Sequence, residues 1–188
     1  MKQKQSWVRV GVALIALVLG AFGFVELSSD QQELIEDVIS EVLTEEVIED
    51  GTVTRVVDGD TLKVSIGGEE QTVRLIGVDT PESVDPRRPV ECFGEEASEF
   101  VKQRVEGERV KLVTDSTQSD RDRYDRLLRY VYTGDEMLNR EIIAEGYGFE
   151  YTVGKKHLFA DEFRELEERA KNQEIGLWSQ NSCAEEYK

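Results

Sequence analysis

The hydrophobic pattern between residues 52 and 78 is typical of β-strands. Val, Thr and Ile are frequent in residues 52–57, 61–66 and 71–78, and these residue types favour extended, half-buried backbone. Gly67 and Gly68 separate the second segment from the third, where a hairpin would turn. The pattern therefore predicts a three-stranded meander.

Helical and strand patterns alternate over the rest of the chain. Apolar residues share one face of residues 95–105 and of residues 159–170, which predicts two amphipathic helices. A shorter helix is predicted at 137–145, and two further strands are predicted at 109–113 and 127–132. Five short strands interrupted by a helix fit an oligonucleotide-binding barrel. The predicted fold class is α+β, a five-stranded OB-fold β-barrel with three α-helices.

The N-terminal segment has the pattern of an export signal. Lys2, Lys4 and Arg9 precede sixteen residues without a charge, 10–25. That run is slightly longer than a typical signal-peptide core and slightly shorter than the roughly 20 residues that span a bilayer. Residues 1–27 are therefore expected to be a signal peptide or an N-terminal membrane anchor, with membrane contact through 8–27 in the second case. Either alternative places the rest of the chain outside the cytoplasm, secreted or anchored on the outer face of the membrane.

The next segment, residues 28–50, is acidic. Its apolar pairs recur every four residues, which indicates a helical tendency, and we expect an acidic linker without chemistry of its own. The length of the chain then allows one folded domain, residues 51–180, and a tail, 181–188. No segment points to a protein partner, and we expect a monomer.

The charge balance argues at first against a nucleic-acid ligand. The chain carries a formal net charge of −17, whereas proteins that bind polyanions usually present a basic surface. Its arginines nevertheless cluster. Arg87 and Arg88 form one pair, and four more lie within nine residues: Arg121, Arg123, Arg126 and Arg129. A focused positive site on an acidic body would be sufficient for catalysis.

Cysteine and histidine usage narrows the chemistry. Cys92 and Cys183 lack metal-ligand spacing, so in an exported protein they either form one disulfide that ties the chain end to the domain or remain two free thiols. His157 is the only histidine, which excludes a histidine-based zinc site or catalytic triad. Asp60 and Asp79 come at the predicted ends of the first and third strands, and could converge on a calcium ion, which takes oxygen ligands. Taken alone, each of these aspartates would belong to a turn.

Five blocks carry a resemblance to a known family. In chain order they are DGDT, VRLIGVDTPE, FGEEAS, DRYDRLLRYVY and GLW. In order and spacing they resemble the staphylococcal nuclease (thermonuclease) family over about residues 52–179. The resemblance implies a calcium-dependent hydrolase, a nuclease that cuts DNA and RNA at the 5′ P–O bond and leaves 3′-phosphate ends. It also implies a preference for single-stranded or locally opened substrate.

The resemblance also implies roles for individual residues. Asp60 and Asp79 look like the family's calcium carboxylates, and Thr80 looks like the residue whose backbone carbonyl completes the metal site. Three residues match the family's catalytic positions: Arg74, which grips the phosphate, Glu82, which orients or deprotonates water, and Arg126, which stabilises the leaving oxygen.

Substrate-binding positions follow from the same resemblance. Arg123, Tyr124 and Tyr151 match positions beside the nucleotide, although each tyrosine could instead belong to the core. Asp125 stands where the family often has glycine, and its charge could pair with Arg126. The role of Asp122 stays open. The rival interpretation is a catalytically silent binding module at the cell surface, which is disfavoured because the charged set is complete.

Overall fold

The computed structural model describes residues 47–84 and 90–180, together with Cys183 and Tyr187. The predictions for the N-terminal leader, for most of the acidic segment and for the Arg87–Arg88 pair lie outside these residues. Within the described ranges, no helix is long and apolar enough to cross a membrane.

Short strands and three helices follow one another along this part of the chain. The strands are β1 (Ile48–Asp58), β2 (Thr61–Ile66), β3 (Glu69–Leu75), β4 (Val78–Asp79), β5 (Arg109–Val113), β6 (Leu127–Thr133), β7 (Glu136–Met137) and β8 (Phe149–Glu150). The helices are α1 (Gly94–Val105), α2 (Leu138–Ala144) and α3 (Ala160–Asn172), followed by a 3₁₀ turn at Gly176–Trp178.

Five of the strands close into a barrel. Their order is β3-β2-β1-β5-β6, with antiparallel neighbours, and β6 returns to pair in parallel with β3. Closure pairs both edges of every barrel strand over part of its length, which is how small barrels avoid open edges. The predicted OB-fold barrel with three helices is therefore confirmed.

The barrel interior is filled by the apolar positions that define the strand pattern. Val53, Leu62, Val64 and Val73 are fully buried, and Val101 of α1 belongs to the same cluster. Burying a side chain of this size contributes about 1.5–3 kcal/mol. The alternation of apolar and polar residues therefore both predicts the strands and supplies the core that holds them.

The first strand begins four residues earlier than predicted. Ile48 to Asp50, the end of the expected linker, pair with β5. Glu49 explains the difference, because its Oε2 lies 3.0 Å from a guanidinium nitrogen of Arg129, a residue only 3% exposed. A buried arginine requires a carboxylate partner, so this end of the acidic segment is part of the barrel.

The third predicted strand is interrupted near its end. β3 stops at Leu75, and β4 leaves the barrel to pair with β8, so that Asp79 lies opposite Phe149. Gly77 makes the change of direction, since its φ is +73° and a Cβ there would lie 2.5 Å from Cε1 of His157. β7 and β8 have two residues each and are too short to produce a hydrophobic pattern.

A disulfide joins Cys92 to Cys183, with Cα atoms 5.8 Å apart. It connects the residues just before α1 to a point 91 residues later in the chain. Of the two alternatives that the sequence left open, the structure has the disulfide, and it ties Cys183 to the barrel domain.

One buried side chain, Asn139, holds the bend between β3 and β4 at residue 76. Its Oδ1 accepts a hydrogen bond from the amide of Val131 at 2.9 Å, and its Nδ2 donates to the carbonyl of Ile76 at 2.9 Å. Asn139 is fully buried. Buried backbone groups need such partners, so Asn139 of α2 holds β6 and the β3–β4 bend together.

We predict that Asn139→Ala lowers the free energy of unfolding by about 2–4 kcal/mol, because an amide and a carbonyl would be left buried without partners. Asn172→Ala, at the exposed end of α3, is the matched control and should change it by less than about 0.5 kcal/mol. Urea denaturation followed by circular dichroism measures both. Equal effects of the two substitutions would contradict this role of Asn139.

Candidate active site

The turn between β1 and β2 carries the first of the predicted metal carboxylates. The sequence predicted Asp60 at the end of the first strand. β1 ends at Asp58, however, so Asp60 lies in the turn that follows. Asp60 is 6% exposed. Its Oδ1 accepts a hydrogen bond from the hydroxyl of Thr61 at 2.8 Å, and its Oδ2 accepts one from the amide of Thr80 at 3.2 Å. The turn is thereby fixed to the segment that follows β4.

Arg74 joins the two predicted carboxylates. Near the end of β3, its guanidinium forms an ion pair with Asp60 and another with Asp79, where NH2 lies 2.7 Å from Oδ1. The side chain of Arg74 is 13% exposed, and that of Asp79 is 47% exposed. The β1–β2 turn, the end of β3 and β4 thus bring Asp60, Arg74 and Asp79 together.

Asp58 is a further member of this cluster that the sequence analysis did not single out. Burial raises the pKa of its carboxyl above the ordinary value, Arg74 opposes the rise, and the charge of Glu82 adds to it. Glu82 therefore lies close enough to Asp58 for their charges to repel. The only signal in the sequence is the Asp-Gly-Asp spacing, which places a second acid beside Asp60.

An open cavity of about 400 Å³ has Arg74 in its wall, whereas Asp60 and Asp79 do not line it. Its walls include every predicted substrate-binding side chain and both predicted catalytic arginines: Arg74, Arg123, Tyr124, Arg126 and Tyr151. Arg74 both lines this cavity and forms ion pairs with Asp60 and Asp79.

Arg126 is held by Asp122 and not by Asp125. Its Nε and NH2 lie 2.7 Å and 2.6 Å from Oδ2 of Asp122. Burial opposes ionisation of Asp122, but hydrogen bonds from the amide and guanidinium of Arg126 and from the amide of Tyr124 bring its pKa below the usual value. The charged form of Asp122 is therefore built into the loop that presents Arg126.

Asp125 has a different partner from the one considered from the sequence. Its side chain is 87% exposed and lies 3.5 Å from NH1 of Arg121, which also donates to its backbone carbonyl. The φ of Asp125 is +64°, a conformation that favours glycine and is tolerated by aspartate. This backbone geometry is why glycine suits the position and aspartate is tolerated there, and the ion pair of the side chain is with Arg121.

Both predicted stacking tyrosines lie at the surface, so neither belongs to the core. Tyr124 is 64% exposed and Tyr151 is 47% exposed. The guanidinium of Arg123 lies 4.7 Å from the ring centroid of Tyr124 and donates to its hydroxyl at 2.7 Å. Exposed rings beside a cavity are suited to stacking on bases.

A buried hydrogen-bond network that includes His157, a residue of the cavity wall, was not predicted. Tyr130 donates its hydroxyl proton to Oδ2 of Asp115 at 2.7 Å. Because that proton is used, the hydroxyl oxygen of Tyr130 accepts a hydrogen bond from Nδ1 of His157 at 3.1 Å. Nε2 of His157 then faces Glu150 at 3.4 Å. Burial lowers the pKa of His157 even though Glu150 and Asp115 favour its protonation. The sequence identified His157 only as the single histidine, and its partners come from distant segments.

The predicted metal ligands are all oxygen atoms. Among the described residues, no group of three or more His, Cys, Asp or Glu side chains is arranged to hold a metal ion. The predicted set has two carboxylates, Asp60 and Asp79, and one backbone carbonyl, from Thr80. Because this set needs only two acidic side chains, that finding does not conflict with it, and hard oxygen donors fit a cation such as calcium.

Fold and site together define an enzyme of the nucleic-acid hydrolase class. Residues 72–180 match the family described as staphylococcal nuclease homologue. Thermonuclease from Staphylococcus hyicus is 37% identical over 127 residues, which is 68% of this chain and 74% of that protein. Thermonuclease from Staphylococcus intermedius is 36% identical over 126 residues, with 67% and 74% covered. The SPbeta prophage-derived endonuclease YokF of Bacillus subtilis is 36% identical over 133 residues, 70% of this chain and 45% of that protein. This chain belongs to the staphylococcal nuclease family and is a nuclease.

We predict that stability falls on mild acidification because of His157. An unfolded histidine has a pKa of about 6.5, whereas the folded pKa is lowered. The contribution of neutral His157 is therefore complete above about pH 6.5 and is lost as the pH falls toward the folded pKa, at up to about 1.4 kcal/mol per pH unit. Urea denaturation between about pH 5 and pH 7 should show a steeper decline for the parent than for His157→Gln. Parallel curves would contradict the prediction.

Proposed function

We propose that this nuclease is a calcium-dependent phosphodiesterase that hydrolyses the 5′ P–O bond of DNA and RNA and leaves 3′-phosphate ends. The observation that carries the proposal is the position of Arg74, which lines the cavity and is paired with both Asp60 and Asp79. One side chain thus connects a groove suited to a nucleotide with the carboxylates that the family resemblance assigns to the metal.

Asp60 and Asp79, with the backbone carbonyl of Thr80, would hold the calcium ion. All are hard oxygen donors of the kind that calcium prefers, and Asp58 and Glu82 add negative charge nearby. When bound, calcium would polarise the phosphate and neutralise part of the charge that develops in the transition state.

Arg74 and Arg126 would bind the phosphate that is cleaved. A guanidinium donates two parallel hydrogen bonds to phosphate oxygens and keeps its charge at all relevant pH values. In the structure the guanidinium of Arg74 is paired with Asp60 and Asp79, and that of Arg126 is paired with Asp122. A substrate phosphate would replace such partners, and Arg126 would then stabilise charge on the leaving 5′ oxygen.

Glu82 would orient or deprotonate the attacking water. A carboxylate can act as a general base when it lies within hydrogen-bond reach of that water. The charge of Glu82 acts on Asp58, which supports its location beside the acidic cluster. Its hydrogen bond from the amide of Val84, at 2.9 Å to Oε1, limits the orientations of the carboxylate.

Tyr124, Tyr151 and Arg123 would bind the rest of the nucleotide. The two exposed rings offer stacking surfaces, and every base has a face that can stack, so little sequence specificity is expected. Unpaired bases reach such rings more readily than stacked ones, which supports a preference for single-stranded or locally opened DNA and RNA.

We further propose that the enzyme acts outside the cytoplasm as a monomer. The apolar N-terminal run supports export, and the Cys92–Cys183 disulfide is of a kind that persists in oxidising compartments. Secretion and anchoring on the outer face of the membrane are both compatible with these observations.

We predict that the chain cleaves heat-denatured DNA with calcium and loses this activity with a chelator. Glu82→Gln should lower kcat by about 10²–10⁴-fold, the range for a general base. Glu108→Gln, an exposed position beyond α1, is the control and should match the parent. Fluorescent oligonucleotide cleavage measures the rates, and labelling of product ends identifies the 3′ group. Cleavage that is equally fast with chelator, or equally fast in Glu82→Gln, would overturn the proposal.

We predict opposite outcomes for the two neighbouring aspartates. Asp122→Asn removes the charged partner that orients Arg126, and kcat should fall by about 10- to 100-fold, equivalent to about 1.4–2.7 kcal/mol of barrier. Asp125→Asn should change kcat by less than about twofold, because its side chain faces Arg121 and solvent. Single-turnover cleavage rates compare the two variants, and a larger loss for Asp125→Asn would contradict the assignment.

A further inference from the structure

The backbone of Glu82 is held by one residue on the other side of its loop. The amide of Glu91 donates to the carbonyl of Glu82 at 2.8 Å, and the amide of Glu82 donates to Oε2 of Glu91 at 2.9 Å. Glu91 therefore satisfies both polar backbone groups of Glu82, one through its own backbone and one through its side chain.

The disulfide begins at the next residue. Cys92 is bonded to Cys183, which is 4% exposed, and the carbonyl of Cys92 accepts a hydrogen bond from the hydroxyl of Tyr187 at 2.8 Å. Two contacts from the C-terminal tail thus converge on the residue beside Glu91. The tail fixes Cys92 covalently and through its backbone.

The first residue of α1, Gly94, lies against the backbone of Glu82. A Cβ at Gly94 would lie 2.7 Å from the carbonyl oxygen of Glu82, so the helix and the Glu82 backbone are in close contact. A displacement of residues 91–94 would therefore be transmitted to Glu82.

The tail also reaches the metal side of the site. The ring of Tyr187 lies 5.1 Å from that of Phe149, and Phe149 pairs with Asp79 between β8 and β4. Cys183 and Tyr187 therefore contact Cys92, beside Glu91, and Phe149, opposite a proposed metal ligand.

We infer that the Cys92–Cys183 disulfide, acting through Glu91, is a positioning device for Glu82 that makes the cleavage rate depend on the redox state of the two cysteines. The inference rests on the proposed role of Glu82. A dithiol reductant would supply two electrons and two protons, break the S–S bond, give two thiols and itself become a disulfide. Glu91 is a positioning residue and contacts neither water nor substrate in this scheme.

The first test compares oxidised and dithiol-reduced full-length chain on denatured DNA with calcium, at a temperature where near-ultraviolet circular dichroism shows both forms folded. Reduction should lower kcat by about 10- to 100-fold, since a misplacement of ~1 Å can cost about 100-fold, with KM within about twofold. The Cys92→Ser/Cys183→Ser variant should behave like the reduced chain and lose its response to reductant. An unchanged kcat in the folded reduced chain overturns the inference.

Glu91 variants test the same device without touching the cysteines. Glu91→Ala should lower kcat, whereas Glu91→Gln keeps an oxygen acceptor for the Glu82 amide and should restore most of the rate. Equal losses in both variants, or a loss that appears only in KM, would count against positioning through this hydrogen bond. These variants decide the question if the reduced chain unfolds.

A Glu82→Gln background separates positioning from general stability. Reduction should leave the residual cleavage rate of Glu82→Gln nearly unchanged, because the group that the disulfide positions is already gone. A loss as large as in the parent would show that the disulfide acts elsewhere and would overturn the inference. If the oxidised parent does not cleave DNA at all, the proposed function fails before the inference is tested.

Discussion

The ion pairs of Arg74 with Asp60 and Asp79 are the interaction on which the rest of the site depends. A guanidinium that is largely buried must be paired, and the two carboxylates reach it only because the β1–β2 turn, β3 and β4 meet at one end of the barrel. The bend at Gly77 and the pairing of β4 with β8 complete this arrangement. The fold and the chemistry of the site are therefore consequences of the same strand connections.

Much of the fold follows from the sequence because apolar periodicity reports burial directly. The five barrel strands and three helices lie where the pattern places them, within a few residues. The earlier start of β1 depends on Glu49 meeting a buried arginine 80 residues away, and the two-residue strands depend on tertiary pairing. Local patterns carry no information about such distant partners.

The residues of the site could be predicted from the sequence, but the pairing of their charges could not. Five ordered blocks predict which residues belong to it, but side-chain direction decides which charges meet. Asp122 and Asp125 are both near Arg126 in sequence, and only the positive φ of Asp125 and the turn geometry show that Asp122 holds the arginine. Asp58 and the His157 network likewise become visible only when burial and neighbouring charges are known.

The acidity of the chain changes how its arginine cluster acts. Arg121, Arg126 and Arg129 are each paired with an acid, and Arg123 contacts Tyr124. The cluster is thus mostly neutralised, and in the proposed mechanism a substrate phosphate must compete with these carboxylates for it. The proposed calcium ion would therefore take a larger share in attracting the substrate.

Calcium titration calorimetry is the decisive measurement for the proposed site, in which Asp60 and Asp79 hold one calcium ion. The parent chain should bind one calcium ion, and the double variant Asp60→Asn/Asp79→Asn should lose this binding. Equal binding in parent and variant would place calcium elsewhere on this acidic chain and would rule out a calcium site on Asp60 and Asp79.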